Sequence, residues 1–250
     1  MAIIYNSKDF LNIIKCQSIC KRWLNYKNNI YTANKKFKNL NSQFASVITG
    51  YHMVNTMPIK ESVWEEINCD IVRGVFSIAD KANGNHISGK DMKFDNLNIS
   101  NKSAKTEGNN ISISSYRLTT VCNDKNIGDE NTIIEEIKKR DKSFEYYSLL
   151  LRTEKEKSII EYKWYIIPKN CYVFNIDKLE PKYGKVGSKK GEIVGWQSKY
   201  CDITFSMSSQ LWYKFDIKHI EKYEICNTTI DNSNPKITYL QIYESFNNTV

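Results

Sequence analysis

The stretch from His86 to Arg117, HISGKDMKFDNLNISNKSAKTEGNNISISSYR, decides how this chain folds, because polar and apolar residues alternate on both sides of a turn. Gly89 precedes Asp91, Met92 and Phe94 flank Lys93, and Asp95 and Asn96 supply turn chemistry before Leu97 and Ile99 resume the period of two. The pattern predicts two short antiparallel strands. Asp91 and Lys102 then project from neighbouring strands at one end of the hairpin. Ser100, two residues before the lysine, emerges on the lysine's side of the strand. Asn98 shares that side, either facing the same site or lying on the exposed side of a half-buried strand.

Upstream, the spacing of Val63, Trp64, Ile67, Ile71 and Val75 after Pro58 predicts a helix over residues 59–78. Glu66 points away from its apolar face, whereas Glu61 and Glu65 lie on the flanks. A carboxylate there reaches a site at the edge of the sheet, or is an ordinary first-turn glutamate favoured by the helix dipole. Further upstream, Ser7 caps a helical run with Phe10, Leu11, Ile14, Ile19, Trp23 and Leu24, and a second run holds Phe37, Leu40, Phe44, Val47 and Ile48, with Gly50 as its stop.

Downstream, residues 111–122 suit a short helix or an irregular strand, and residues 129–140 a helix. YYSLLLR (146–152) and IIEYKWYIIP (159–168) read as buried strands around a charged TEKEK turn, and residues 171–176 offer one more. The order helix, hairpin, helix, strand, strand predicts an α+β fold, a mixed central β-sheet flanked by helices. GKVGSKKGEIVGW (184–196) holds four glycines among lysines and reads as a mobile basic loop, and YCDITFSMSSQLWYKF (200–215) as a strand.

A chain of 250 residues with 41% hydrophobic content supports one buried core. A single domain is expected over 1–250, with a helical lobe at 1–58, a core at 59–170 and a C-terminal region at 171–250. No apolar stretch approaches the ~20 residues that cross a bilayer, and the N-terminus is broken by polar residues too early for a secretory signal. A soluble, cytoplasmic protein without a membrane partner follows. Seven cysteines, scattered at 16, 20, 69, 122, 171, 201 and 226 without a CxxC pair, read as reduced core thiols. His52, His86 and His219 stand apart from one another and read as structural.

The formal charge of +8 favours a polyanionic partner. The excess is spread over Lys21-Arg22, Lys35-Lys36-Lys38, Lys138-Lys139-Arg140 and Lys185-Lys189-Lys190, and an ordinary solvated lysine surface is the alternative. Phosphodiester cleavage near neutral pH needs a divalent cation and a positive group that orients the nucleophile or steadies developing charge. Asp91 suits the first need and Lys102 the second.

The hairpin resembles the active-site motif of the PD-(D/E)xK nucleases, in which an Asp on one strand is followed by an acidic-x-Lys triplet on the next. The wider string, with SGKD at 88–91, ISNKS at 99–103 and ISSYRLT at 113–119, looks like the type II restriction endonucleases of that superfamily. The likeness spans roughly residues 60–170 and implies a restriction-endonuclease-like core. It implies a magnesium-dependent, sequence-specific double-stranded DNA endonuclease, with Asp91 as metal-binding Asp, Ser100 in the slot usually held by an acidic metal ligand, and Lys102 as catalytic lysine. In-line attack by a metal-bound water, 5′-phosphate ends, a homodimer and a cognate DNA methyltransferase as genetic partner belong to the same implication. Ser100 is the departure. The missing carboxylate then comes from Glu65 or Glu61 on the helix, from Asp95, or is replaced by a backbone carbonyl of Ile99 or Ser100.

Base reading needs donors and acceptors that reach base edges, while phosphate contacts only position the duplex. Ser206, Ser208, Ser209 and Gln210 beside Trp212, with Lys189 and Lys190 in the preceding basic loop, form the candidate DNA-binding region. Gln210 is the candidate for an adenine contact, and Arg117 for a phosphate grip or a plain salt bridge. A structure-selective repair or junction nuclease, and a non-catalytic DNA-binding protein on a degenerate nuclease fold, are the competing readings. Ser100 keeps the second of these open.

Overall fold

Leu40, Phe44 and Ile48 recur at helical spacing and are fully buried, and their burial fixes helix α1 (Lys27–Val54) against the sheet. The computed structural model describes residues 27–76, 79–81, 91–94, 97–118, 130–176, 179–205 and 210–247. The first helical run at residues 7–24 lies outside them. Helix α1 does not stop at Gly50 but continues to Val54. A glycine inside a helix costs about 1 kcal/mol. His52 offsets it, being 3% exposed and bonded to Tyr162 at 2.9 Å. Helix α2 (Glu61–Phe76) follows Pro58 and buries Trp64, Ile67, Ile71 and Val72.

The strands β1 (Ala79–Lys81) and β2 (Met92–Phe94) come next, and β2 forms the expected hairpin with β3 (Leu97–Glu107), Met92 standing opposite Ile99. The turn residues Asp95 and Asn96 lie outside the described residues. Strand β3 runs further than its alternation suggested and turns at Gly108 into β4 (Asn110–Arg117). Gly108 has φ 61°, a conformation that glycine adopts freely. A regular strand thus takes most of the stretch expected to be helical or irregular.

Helix α3 (Glu130–Arg140) leads to β5 (Tyr146–Glu154) and β6 (Ile159–Pro168), all within two residues of expectation. Residues 171–176 form no strand. They make a short 3-10 turn whose Val173 and Phe174 are buried. The basic glycine-rich stretch is only in part a loop: residues 184–192 form the turn between β7 (Glu180–Tyr183) and β8 (Ile193–Gln197), which pair with each other, and the rest of it is strand. Gly195 decides this: a Cβ there would stand 2.1 Å from the Ile203 carbonyl oxygen, so only glycine lets β8 approach its neighbour. What read as one strand at 200–215 is two, β9 (Asp202–Phe205) and β10 (Gln210–Asp216). Strand β11 (Glu224–Asp231) and helix α4 (Tyr239–Asn247) complete the described chain.

Eleven described strands join one mixed sheet, nine of them in the order β11-β6-β5-β3-β4-β10-β9-β8-β7, with β2 added to β3 and β1 to β2. Strands β3 and β5 are parallel, and the other named pairs are antiparallel. Helices α1 and α2 pack with Trp164, Tyr162 and Leu150 on one face, whereas α3 packs with Tyr147, Leu149 and Tyr165 on the other. Burial on both faces explains the near-continuous apolar runs of β5 and β6. No helix among the described residues is long and apolar enough to cross a membrane.

The sheet forks at β3. Its first residues pair with β2 and its last two, Thr106 and Glu107, with β4, while the residues between pair only with β5 on the opposite side.

Candidate active site

The backbone edge left open in the fork must find partners other than a strand. Asp91 supplies one. Its own N–H donates to the Ile99 carbonyl at 2.9 Å, and its carboxylate Oδ2 accepts from the Asn101 N–H at 2.6 Å. A side chain thereby continues the ladder one step past the end of β2. The same Oδ2 accepts from the Ser100 hydroxyl at 3.1 Å, so the residue in the usual acidic slot orients Asp91.

Lys102 lies two residues on, with only 6% of its surface exposed. Its Nζ is 2.8 Å from Glu61 Oε1 and 3.9 Å from Asp91 Oδ2. The second oxygen of Glu61 accepts from Ser114 of β4 at 3.3 Å. Glu61, the first residue of α2, therefore spans the fork, touching β3 through Lys102 and β4 through Ser114. The sequence brought forward both Glu61 and Glu65. Glu65, four residues further along α2 and half-buried, begins where the helix has already risen about 6 Å from the position that reaches Lys102.

Burial raises the pKa of Asp91 above its ordinary value, and the Lys102 charge, the Asn101 N–H and the Ser100 hydroxyl offset only part of that. Burial works against the Lys102 ammonium, but the Glu61 and Asp91 carboxylates outweigh it and raise its pKa. Lys102 is thus a fixed cation at neutral pH. It serves as a donor and a positive charge, not as a proton acceptor.

Behind β3, Asn101 turns its side chain to the opposite face, where Asn68 of α2 donates to it and also to Ser148 Oγ at 2.8 Å. Trp164 Nε1 donates to the same hydroxyl at 2.8 Å. This buried network fixes the peptide that holds Asp91. On the site's own side, Tyr147 stands opposite Ser100 in the parallel register, and its hydroxyl meets Ser115 Oγ at 3.2 Å and the Lys169 ammonium at 2.9 Å.

Asp91, Ser100 and Lys102 are thus brought together as the sequence implied, and Ile99 spends its carbonyl on the ladder. Asp95, Ser206, Ser208 and Ser209 lie outside the described residues. Arg117 is exposed at the end of β4, opposite Gln210 of β10. The Gln210 amide donates to the Ser115 carbonyl, which ties one of the two groups proposed for base contact to the protein itself. Lys189 and Lys190 are exposed in the turn between β7 and β8, four strand steps from β3. At ordinary strand spacing that is about 20 Å. Ser114, Asn68 and Tyr147 were missed. Ser114 carried a signal in the alternation of ISISS, whereas Asn68 on an apolar helix face showed only as a polar residue out of place.

Among the described residues no three His, Cys, Asp or Glu side chains gather in one place. The pair Asp91 and Glu61 still offers hard oxygen donors of the kind magnesium takes, since that ion is often held by one or two carboxylates and keeps several waters. Comparison with protein-family models, with curated proteins and with solved structures finds no match to this chain.

Proposed function

We propose that this chain is a magnesium-dependent endonuclease of double-stranded DNA, of the type II restriction class, on a restriction-endonuclease-like core. The observation that carries the reading is a buried lysine, Lys102, held between carboxylates from two separate elements at the fork of a mixed sheet. A buried ion pair is costly to form and seldom repays its desolvation in stability. Its place at an open strand edge supports a chemical role.

Asp91 and Glu61 would hold the cation, which when bound would polarise the phosphate and lower the pKa of a water. Lys102 donates from its ammonium to the attacking water or to a phosphate oxygen, and its charge steadies the developing negative charge. Ser100 keeps Asp91 turned towards the lysine, in place of the second acidic ligand. Arg117 and Gln210 border the same arm of the fork as Ser114 and are proposed to meet the duplex, together with Ser206 and Ser208. Lys189 and Lys190 add non-specific attraction to phosphate. Two copies acting together would cut both strands of a symmetric site.

Incubation with phage DNA and magnesium tests the reading. Discrete fragments, absent when the cation is chelated, are the expected result. Cutting confined to branched DNA would favour the repair or junction nuclease. A shift of DNA in a gel with no cutting under any divalent cation would leave only the binding protein.

A further inference from the structure

The segment between α1 and α2 is short, keeps helical bonds only at its ends, where the Asn55 N–H donates to the Tyr51 carbonyl at 3.0 Å and the Lys60 carbonyl accepts from the Trp64 N–H at 2.9 Å, and carries the chain to Glu61. Three side chains from three strand regions hold it. Asn232, just after β11, donates to the Thr56 carbonyl at 2.8 Å. The Tyr162 hydroxyl of β6 accepts from the Ile59 N–H at 3.3 Å. The Ser103 hydroxyl of β3 donates to the Ile59 carbonyl at 3.1 Å. Pro58 stiffens the chain before Ile59, and the Ile59 side chain is fully buried.

The proton positions at Tyr162 follow from its neighbours. Lys236 Nζ donates to Asn232 Oδ1 at 2.8 Å, so the atom facing His52 Nδ1 at 3.2 Å is the amide oxygen. Nδ1 must therefore carry the hydrogen, and Nε2 accepts from the Tyr162 hydroxyl at 2.9 Å. Burial keeps His52 below its ordinary pKa, in keeping with a neutral ring. The Tyr162 oxygen is then turned to Ile59 with its own hydrogen committed elsewhere.

We infer that Tyr162 and Ser103 are positioning residues for Glu61. They grip both polar groups of Ile59, two residues before Glu61, and so set where α2 begins and where its first carboxylate meets Lys102. Ser103 lies on β3 next to Lys102, which ties the strap to the strand that bears the lysine. Tyr162, reached through His52, ties it to the end of α1. The hydroxyls act through the placement of Glu61 and touch no reacting group.

This inference rests on the nuclease reading for its effect on rate, and the test separates the two. Tyr162→Phe keeps the ring packed on His52 and removes only the hydroxyl, and Ser103→Ala removes the other grip. Each should lower kcat by about tenfold or more with KM for DNA unchanged, since small misplacement of a catalytic group is costly. Ser103→Thr should retain the rate. In a Glu61→Gln background Tyr162→Phe should cost nothing further, because both act through one group. A second readout needs no activity: mild reductive methylation, followed by mass spectrometry, should spare Lys102 in the wild type and label it faster in Tyr162→Phe, with Lys105 as the exposed internal standard. Wild-type protein that cuts no DNA would refute the nuclease reading, and the labelling then decides the strap alone. Unchanged Lys102 protection in both hydroxyl variants, or equal losses of rate with and without Glu61, would overturn the inference.

Discussion

Two lysine-bearing hairpins show how little a charge count says about a site. In the β2–β3 hairpin and its extension, Lys102 is buried and stands between Glu61 and Asp91. In the β7–β8 hairpin, Lys189 and Lys190 point to solvent at the far edge of the sheet. Desolvation makes the first cation depend on its partners, whereas water screens the second pair. Replacing lysines in the two places should therefore have effects of different kinds.

The largest contrast is expected at Lys102. Lys102→Met should abolish cutting and, by leaving two carboxylates without their cation, lower unfolding stability by about 2 kcal/mol, below the ~3–5 typical of a fully buried pair because Glu61 is one third exposed. Urea titration checks the second effect. Next comes the helix. Glu61→Gln should cut at least about a hundredfold more slowly and Glu65→Gln within a few fold of wild type, measured on one DNA substrate. Equal losses would remove the distinction drawn between the two glutamates.

Asp91 supplies a pH test whose sign is fixed by burial. Its pKa is raised above the ordinary 3.8. Between that value and the raised one, the folded chain keeps a proton that the unfolded chain has lost, so Asp91 makes stability fall as pH rises through the window. Asp91→Asn should remove that fall. At neutral pH its urea midpoint should be no lower than wild type despite loss of cutting, and the difference should vanish below the window.

In the second hairpin, Gly195→Ala should destabilise the fold by more than about 1 kcal/mol, since φ is 153° and a Cβ meets backbone. The smallest effect belongs to Lys189→Ala with Lys190→Ala. Folding should be untouched, and DNA affinity should fall uniformly across sequences with a shallower salt dependence, as filter binding at several salt concentrations would show.

The same contrast marks what was legible in the sequence. The Asp91 hairpin, the helix after Pro58 and strands β5 and β6 could be read because each carries its own local apolar pattern: alternation in the hairpin, helical spacing in the helix and continuous apolar runs in β5 and β6. The β7–β8 hairpin was hidden because two of its glycines, Gly184 and Gly195, serve close backbone approach. At the site, Asp91, Ser100 and Lys102 share one local hairpin and could be placed from spacing alone. Choosing between Glu61 and Glu65 needed the axis of α2 relative to the fork, and Ser114 needed a strand that was not foreseen. Those are tertiary relations, invisible to local pattern.

One measurement bears most directly on the claim that Glu61 and Asp91 converge with Lys102 on a cleavage centre. Single-turnover cutting of one DNA substrate with magnesium should be compared for wild type, Asp91→Asn and Glu61→Gln, with each protein's fold checked by circular dichroism. The account predicts discrete fragments from the wild type, none from Asp91→Asn and a trace at most from Glu61→Gln. Wild-type rates from both folded variants would contradict it.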